Sequence, residues 1–379
     1  MGTTVSFSLC YLILTEDCNL RCKYCYENAN RCSNSYMSVE TAKQSADFLF
    51  DNALKHGIKY LNIIFFGGEP LLNLDVMTKF FFYATEKANQ YNIKIWFLLI
   101  TNGTIYNTQY EKFILQWYKT INNVSIQIST DGIPEVQDKN RRTIDDKPTS
   151  KIVSGNILKL KAFLKQNKIE ANSFYTHFVL TKESIPKIFS NYKYFRHLGI
   201  NHIEFMMSYN ESWEEEDIPE YIEQLSLIAD SVYDECIKAC SLIPYENAYL
   251  LIGLRPVEEK YKERVLKECT IAPNGDIYSF TNMYFNNRNY KIGNVFDGVL
   301  NNNIEKTFFD ICHSSSLVDD DTCFNCENTQ CNKYMKSNRL RYDEAKKTFE
   351  IETKKRFDQL SDKLNYRKCN EAAFFQSVN

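Results

Sequence analysis

Three cysteines, Cys18, Cys22 and Cys25, stand in the run Asp17-Cys18-Asn19-Leu20-Arg21-Cys22-Lys23-Tyr24-Cys25-Tyr26, directly after the apolar, strand-like stretch 9–14. No other feature narrows the possibilities as far, because three soft ligands on one short loop demand a metal centre at the end of whatever element that stretch forms. Thiolates are the preferred ligands of iron-sulfur clusters, and the spacing C-x3-C-x2-C lets one loop wrap three corners of a cubane, leaving one iron open to a ligand that is not protein. Structural zinc is the alternative, but a closed tetrahedral site wants a fourth ligand, usually from a second paired set. None lies nearby, and Cys32 stands beyond the loop in a polar stretch.

The rest of the chain is built to fold around such a centre. Its 379 residues, 44% hydrophobic and 14% aromatic, suffice for a substantial core and for two domains. A net charge of -3 with Lys and Glu interspersed leaves no electrostatic footprint for nucleic acid. Residues 1–15 lack the basic start and cleavage site of a signal peptide, and no stretch approaches the ~18 uncharged apolar residues of a membrane span. The expectation is a cytoplasmic protein with no membrane partner, in which the 13 cysteines serve as ligands, buried thiols or catalysts rather than disulfide partners.

Strand-like runs at 9–14, 60–66, 93–100, 123–129, 173–180 and 201–207 alternate with helix-like ones, the pattern of successive parallel βα units. Ser38 is placed to cap a helix whose apolar positions Val39, Ala42, Ala46, Leu49, Ala53 and Leu54 recur at helical spacing, with Gly57 placed to end it. Similar patterns cover 75–91, 108–119, 151–166 and 185–197. Six such units predict an α/β fold, a partial (β/α)6 TIM-like barrel over 1–210, with its chemistry past the C-terminal ends of the strands. A helical bridge follows over 211–266, where Cys236 and Cys240 read as core thiols; then come a cysteine-rich segment, 267–340, and a charged helical tail, 341–379.

The cysteine run, with an aromatic residue just before its last cysteine, resembles the signature of the radical S-adenosylmethionine (SAM) enzymes. The likeness continues in order: Phe65-Phe66-Gly67-Gly68-Glu69-Pro70 resembles the family's segment after the second strand, Thr101-Asn102-Gly103 that after the third, and Ser129-Thr130-Asp131-Gly132 that after the fourth. The resemblance implies a 4Fe-4S cluster on Cys18, Cys22 and Cys25, with SAM on its open iron and an open six-unit barrel around both. It also implies that Gly67, Gly68 and Glu69 hold the SAM amino group, an ammonium that a carboxylate suits. Thr101, Asn102, Ser129 and Asp131 lie where the ribose is held, although short polar residues at strand ends more often serve turns and caps. Arg141, twelve positions after Ser129, resembles the arginine that pairs with the SAM carboxylate, a task suited to a guanidinium fork; Arg142 is its neighbour. Tyr24 and Ile203 are candidates for packing the adenine, and either also reads as a core residue.

A second resemblance covers the last third. Cys269, Asn274-Gly275-Asp276-Ile277-Tyr278, Lys291 to Gly298, Cys323-Phe324-Asn325-Cys326 and Cys331 look like a SPASM-type extension, which houses auxiliary clusters in enzymes that modify peptides and proteins. Two expected cysteines are replaced, by Phe280 and Met335, so one auxiliary 4Fe-4S cluster is expected, on Cys323, Cys326 and Cys331 with Cys269 or Cys369 as fourth ligand, or with an open iron. Cys312 is a weaker candidate, and zinc is the rival metal because four-thiolate sites accept either.

The layout is similar to that of anaerobic sulfatase-maturating enzymes, in which an aspartate base follows the hairpin cysteine; here that pair reads Phe280-Thr281. The expected function is therefore abstraction of a hydrogen from a residue of a ribosomally made peptide or protein, giving a crosslink or oxidised residue. An external electron donor of flavodoxin or ferredoxin type would serve it. Sulfatase-type formylglycine formation and dehydrogenation of a small molecule are the alternatives.

Overall fold

β1 (Leu9–Thr15) is a run of apolar and β-branched residues whose last four positions are all buried, as a strand covered on both faces requires. After it the computed structural model shows β2 (Leu20–Cys22), α1 (Val39–Lys55), β3 (Tyr60–Gly67), α2 (Leu74–Tyr91), β4 (Lys94–Thr101), α3 (Thr108–Thr120) and β5 (Val124–Ser129). Next come α4 (Pro134–Asn140), β6 (Arg141–Thr143), α5 (Ser150–Gln166), β7 (Phe174–Leu180), α6 (Ile188–His197), β8 (Ile203–Met207) and α7 (Asp217–Ala239). The described part ends with β9 (Glu268–Ile271), β10 (Asp276–Tyr278), α8 (Thr281–Asn286), β11 (Lys291–Asn294), β12 (Gly298–Val299) and short helical pieces over 351–363. The structure describes residues 6–25, 27, 34–121, 124–169, 174–208, 211, 214–239, 267–279, 281–286, 288, 291–299, 351–352, 355–356, 358–359 and 361–363.

Two units divide the chain. The first draws on Met1–Ser129, Arg142–Phe174 and Val257–Asn332, the second on Thr130–Arg141, Tyr175–Pro256 and Lys333–Asn379. In the first, β1, β3, β4 and β5 run parallel in that order. On the other side of β1 lies β9, also parallel, followed by antiparallel β10, β11 and β12. The sheet thus runs straight across the boundary expected at 267, and the strands beyond it complete the edge of β1. The second unit contains β7 and β8, again parallel, with α6 and α7. It crosses the boundary expected at 210, because Phe205 of β8 meets Tyr221 of α7 at 6.2 Å.

Alternation decides which face each strand gives to the helices. Phe65 of β3 stacks on Phe97 of β4 at 5.5 Å and meets Phe80 of α2 and Trp117 of α3 edge-on, so this face is the aromatic core under the helices. Phe66 turns to the opposite face, against Tyr11 and against Phe285 of α8. Helix ends follow their local chemistry. The Ser38 hydroxyl accepts from the Thr41 N–H at 3.0 Å, and Gly57, at φ +66°, carries the chain out of α1. The helix expected from 185 starts at Ile188, since Pro186 confines residues 182–187 to a 3-10 turn. Among the described residues no helix is long and apolar enough to cross a membrane.

Trp117 is fully buried where Phe65, Phe81 and Phe113 meet. Trp117→Ala should cost about 3–5 kcal/mol in chemical denaturation of the first unit.

Candidate functional site

The cysteine loop starts where β1 ends, and its root is fixed by backbone contacts. Gly68 N–H donates to the Thr15 carbonyl at 3.0 Å and Glu69 N–H to the Asp17 carbonyl at 2.8 Å. A Cβ on Gly67 would lie 2.2 Å from the Thr15 oxygen, and one on Gly68 2.2 Å from the Asp17 oxygen. The glycines expected to admit a ligand therefore admit the chain's own cysteine segment. From the other side, the Thr15 hydroxyl and the Glu16 N–H both donate to the Ser35 carbonyl, while the Asp17 carboxylate accepts from the Asn34 N–H at 3.0 Å.

Glu69 carries the fixation onward. Its carboxylate is wholly buried; Oε1 accepts from the Thr101 hydroxyl at 2.8 Å and the Leu71 N–H at 3.0 Å, and Oε2 accepts from the Asn102 N–H at 2.7 Å. Burial nevertheless pushes the group up to about 7, the three hydrogen bonds only partly opposing it. A carboxylate offers about four acceptor positions, so three are taken within the protein. The Thr101 hydroxyl also accepts from the Gly103 N–H. The Asn102 side-chain amide reaches back to the loop, donating to Asn19 Oδ1 at 2.8 Å and to Cys18 Sγ at 3.7 Å, while its oxygen accepts from the Thr104 N–H and hydroxyl. Thr101 and Asn102, expected at the ribose, here join the end of β4 to the first cysteine.

Cys18, Cys22 and Cys25 are half-buried thiols, none in a disulfide. Cys18 Sγ also accepts from the Leu20 N–H at 3.4 Å, and the Cys25 N–H closes a turn onto the Cys22 carbonyl. N–H donors aimed at sulfur favour the thiolate, the form that binds metal, so the donor chemistry of this loop fits an iron-sulfur cluster. Among the described residues no three thiol, imidazole or carboxylate groups are already gathered around one point. Tyr24 sits half-buried on the same loop, and Ser129 half-buried at the end of β5.

In the second unit, Asp131 and Arg141 form a buried ion pair at 3.0 Å, and Asp131 also accepts from the Val179 N–H at 3.4 Å. Ile203 is buried on the face of β8 that carries Phe205, and Phe205 packs against Phe178 and Tyr221. His177 and Glu204 are register partners on the opposite face. Desolvation lowers His177 to about 4, with Arg141 acting in the same direction and Glu204 and Asp131 opposing it; the imidazole is neutral near pH 7. The sequence offered no motif for this group.

Cys269 lies on β9 as the register partner of Cys10 on β1, both wholly buried, and burial and the Cys10 thiol push it well above the ordinary thiol value. Neighbouring Glu268 is buried as well and accepts from the Thr281 hydroxyl at 2.8 Å. Cys323, Cys326, Cys331 and Cys369, with Cys32, Cys240 and Cys312, lie outside the described residues, as does the side chain of Cys236.

Residues 12–222, more than half of the chain, match the family described as the Radical SAM superfamily. The chain belongs to the radical SAM superfamily. It is thus an enzyme of a family that uses a 4Fe-4S cluster and SAM. An uncharacterised protein of Methanocaldococcus jannaschii is 32% identical over 196 residues, 51% of this chain and 60% of its own length. The cysteine-type anaerobic sulfatase-maturating enzyme of Clostridium novyi is 26% identical over 341 residues, 85% of each chain. The radical SAM cyclopropyl synthase TigE of Paramaledivibacter caminithermalis is 23% identical over 338 residues, 83% of this chain and 65% of its own. Among solved structures, anSMEcpe with bound AdoMet and a peptide, Cp18Cys, is similar with a TM-score of 0.61 at 19% identity, covering 94% of this chain and 99% of that one. The fold is the α/β partial barrel of that family, as expected from the six βα units.

Since Glu69 titrates near 7 when folded and near 4.5 when unfolded, the folded state holds a proton across that window that the unfolded chain has lost. Stability should fall by about 3 kcal/mol between pH 4.5 and 7 and level off above. Urea unfolding of Glu69→Gln should lack this slope, and its stability at pH 5 should be lower because the Asn102 N–H loses its acceptor.

Proposed function

We propose that the chain is a radical SAM enzyme that modifies a peptide or protein, with Cys18, Cys22 and Cys25 as the ligands of its SAM-binding 4Fe-4S cluster. The observation that carries this reading is the bracing of the loop from outside: Gly68 and Glu69 hold its root, and the Asn102 amide reaches Cys18 Sγ. Such a frame holds the root of the loop and the Cys18 sulfur, while all three cysteines stay half-exposed to a cofactor. When bound, the cluster supplies an electron to SAM, and the radical that results removes a hydrogen atom from the substrate.

The chain's own residues bind and orient. The remaining acceptor position of Glu69, on Oε2, suits the SAM ammonium. Arg141, oriented by Asp131, is the candidate for its carboxylate, with Thr101, Asn102 and Ser129 the candidates for the ribose and Tyr24 and Ile203 for the adenine. One auxiliary cluster on Cys323, Cys326 and Cys331 is part of the reading. Cys269, buried beside Cys10, and Cys369 are the candidates for its fourth position. A peptide substrate is supported by the sulfatase-maturating relative and by the similar structure that holds a peptide beside AdoMet; a flavodoxin- or ferredoxin-type donor would supply the electrons.

Formylglycine formation is the second reading, favoured by Glu268. Its carboxylate, hydrogen-bonded to Thr281, stands beside the position where the sulfatase-maturase resemblance leads one to expect an aspartate.

Reduced protein incubated with SAM and a peptide encoded beside its gene should release 5'-deoxyadenosine together with a peptide of altered mass. The triple change of Cys18, Cys22 and Cys25 to Ala should abolish both and remove the SAM-responsive iron. SAM cleavage with every such peptide unaltered would reject the peptide reading, and conversion of a cysteine- or serine-containing sulfatase peptide would select the second one.

A further inference from the structure

Glu16, two residues before Cys18, has a carboxylate only 3% exposed, and both groups seen to hold it come from residues 281–288. The Tyr284 hydroxyl, on α8, donates to Oε1, and Arg288 Nη2 lies 2.7 Å from Oε2. The Arg288 guanidinium also stands 4.8 Å above the Tyr284 ring, so the three groups form one closed set: an ion pair, a hydrogen bond and a cation–π contact. Tyr284 has no exposed surface, and burial together with Glu16 keeps its phenol protonated and therefore a donor.

The location gives this set its meaning. Glu16 N–H is held by the Ser35 carbonyl, and its two neighbours, Thr15 and Asp17, present the carbonyls on which Gly68 and Glu69 rest. A carboxylate this deep requires charge and hydrogen-bond partners. Two of them, Tyr284 and Arg288, come from beyond β10. The root of the cysteine loop is therefore fixed from a third direction, by the strands and helix added beside β1.

We propose that Glu16, Tyr284 and Arg288 are positioning residues for the three-thiolate centre, through which the segment 267–299 governs how firmly the cluster is held and how it responds to SAM. The proposal rests on Cys18, Cys22 and Cys25 being the ligands. Arg288→Met, Arg288→Lys and Tyr284→Phe would be prepared anaerobically as full chains and compared in two measurements: release of iron to a chelator, and the change that SAM causes in the electron paramagnetic resonance spectrum of the reduced cluster. Arg288→Met and Tyr284→Phe should accelerate iron release from the SAM-responsive centre roughly 10–100-fold and diminish the spectral change, as loss of groups that orient ligands does elsewhere. Arg288→Lys, which keeps a cation opposite Glu16, should restore most of both. If Arg288→Met does not fold, the double variant Glu16→Gln with Arg288→Met, which leaves no buried charge, takes its place with the same expectations.

Wild-type iron release and spectral change in all of these variants, whatever their melting temperatures, would overturn the proposal. A separate control isolates its foundation: if Cys18→Ala alone leaves the SAM-induced spectral change intact, the ligand assignment fails independently of the Glu16 set.

Discussion

The close approach of two backbones, Gly67-Gly68 to Thr15-Glu16-Asp17, is the contact on which the site depends. It has no room for a single Cβ, and its hydrogen bonds run from N–H groups past the end of β3 to carbonyls at and just past the end of β1. From there a circuit closes: Glu69 ties the end of β3 to the end of β4, and Asn102, past the end of β4, ties back to Cys18 and Asn19. The root of the loop and its first sulfur are thereby referenced to three strands of one sheet. Flexible surface loops cannot offer that precision to a cofactor whose reactive atom must meet a substrate carbon.

Membership of the radical SAM superfamily and the two-unit organisation bear on each other. The cysteine loop, Glu69, Thr101 and Asn102 all belong to the first unit, while Asp131, Arg141, His177 and Glu204 belong to the second. Each unit brings its own buried charge chemistry: a carboxylate held half-protonated near neutral pH in the first, an ion pair beside a neutral imidazole in the second. Perturbed groups of this kind concentrate at sites that do chemistry.

Much of this was legible in the sequence. β1 and β3 announce themselves as short apolar runs, α1 by Ser38 and helical spacing, and the cysteine spacing by itself singles out the loop. What stayed hidden depended on distant partners. GGEP stands out, yet that its glycines answer to Thr15 and Asp17 is known only once β1 and β3 lie side by side in register. Glu16 reads as an ordinary acidic residue, because Tyr284 is 268 positions away. That Cys269 faces Cys10 across the sheet likewise appears only with the pairing of β9 and β1. Pro186 could have corrected the start of α6 from sequence alone.

The parallel pairing of β9 with β1 carries a consequence for biosynthesis. Leu9 finds its neighbour in Glu268, so the sheet that bears the cysteine loop stays unfinished while the intervening chain is still being made. During translation β1 leaves the ribosome early with one edge uncovered, and its thiols emerge long before Tyr284 and Arg288 can close over Glu16. Contacts this distant in sequence form late and slowly. A chain stalled before residue 268 therefore carries the cysteine loop beside an uncovered edge of β1.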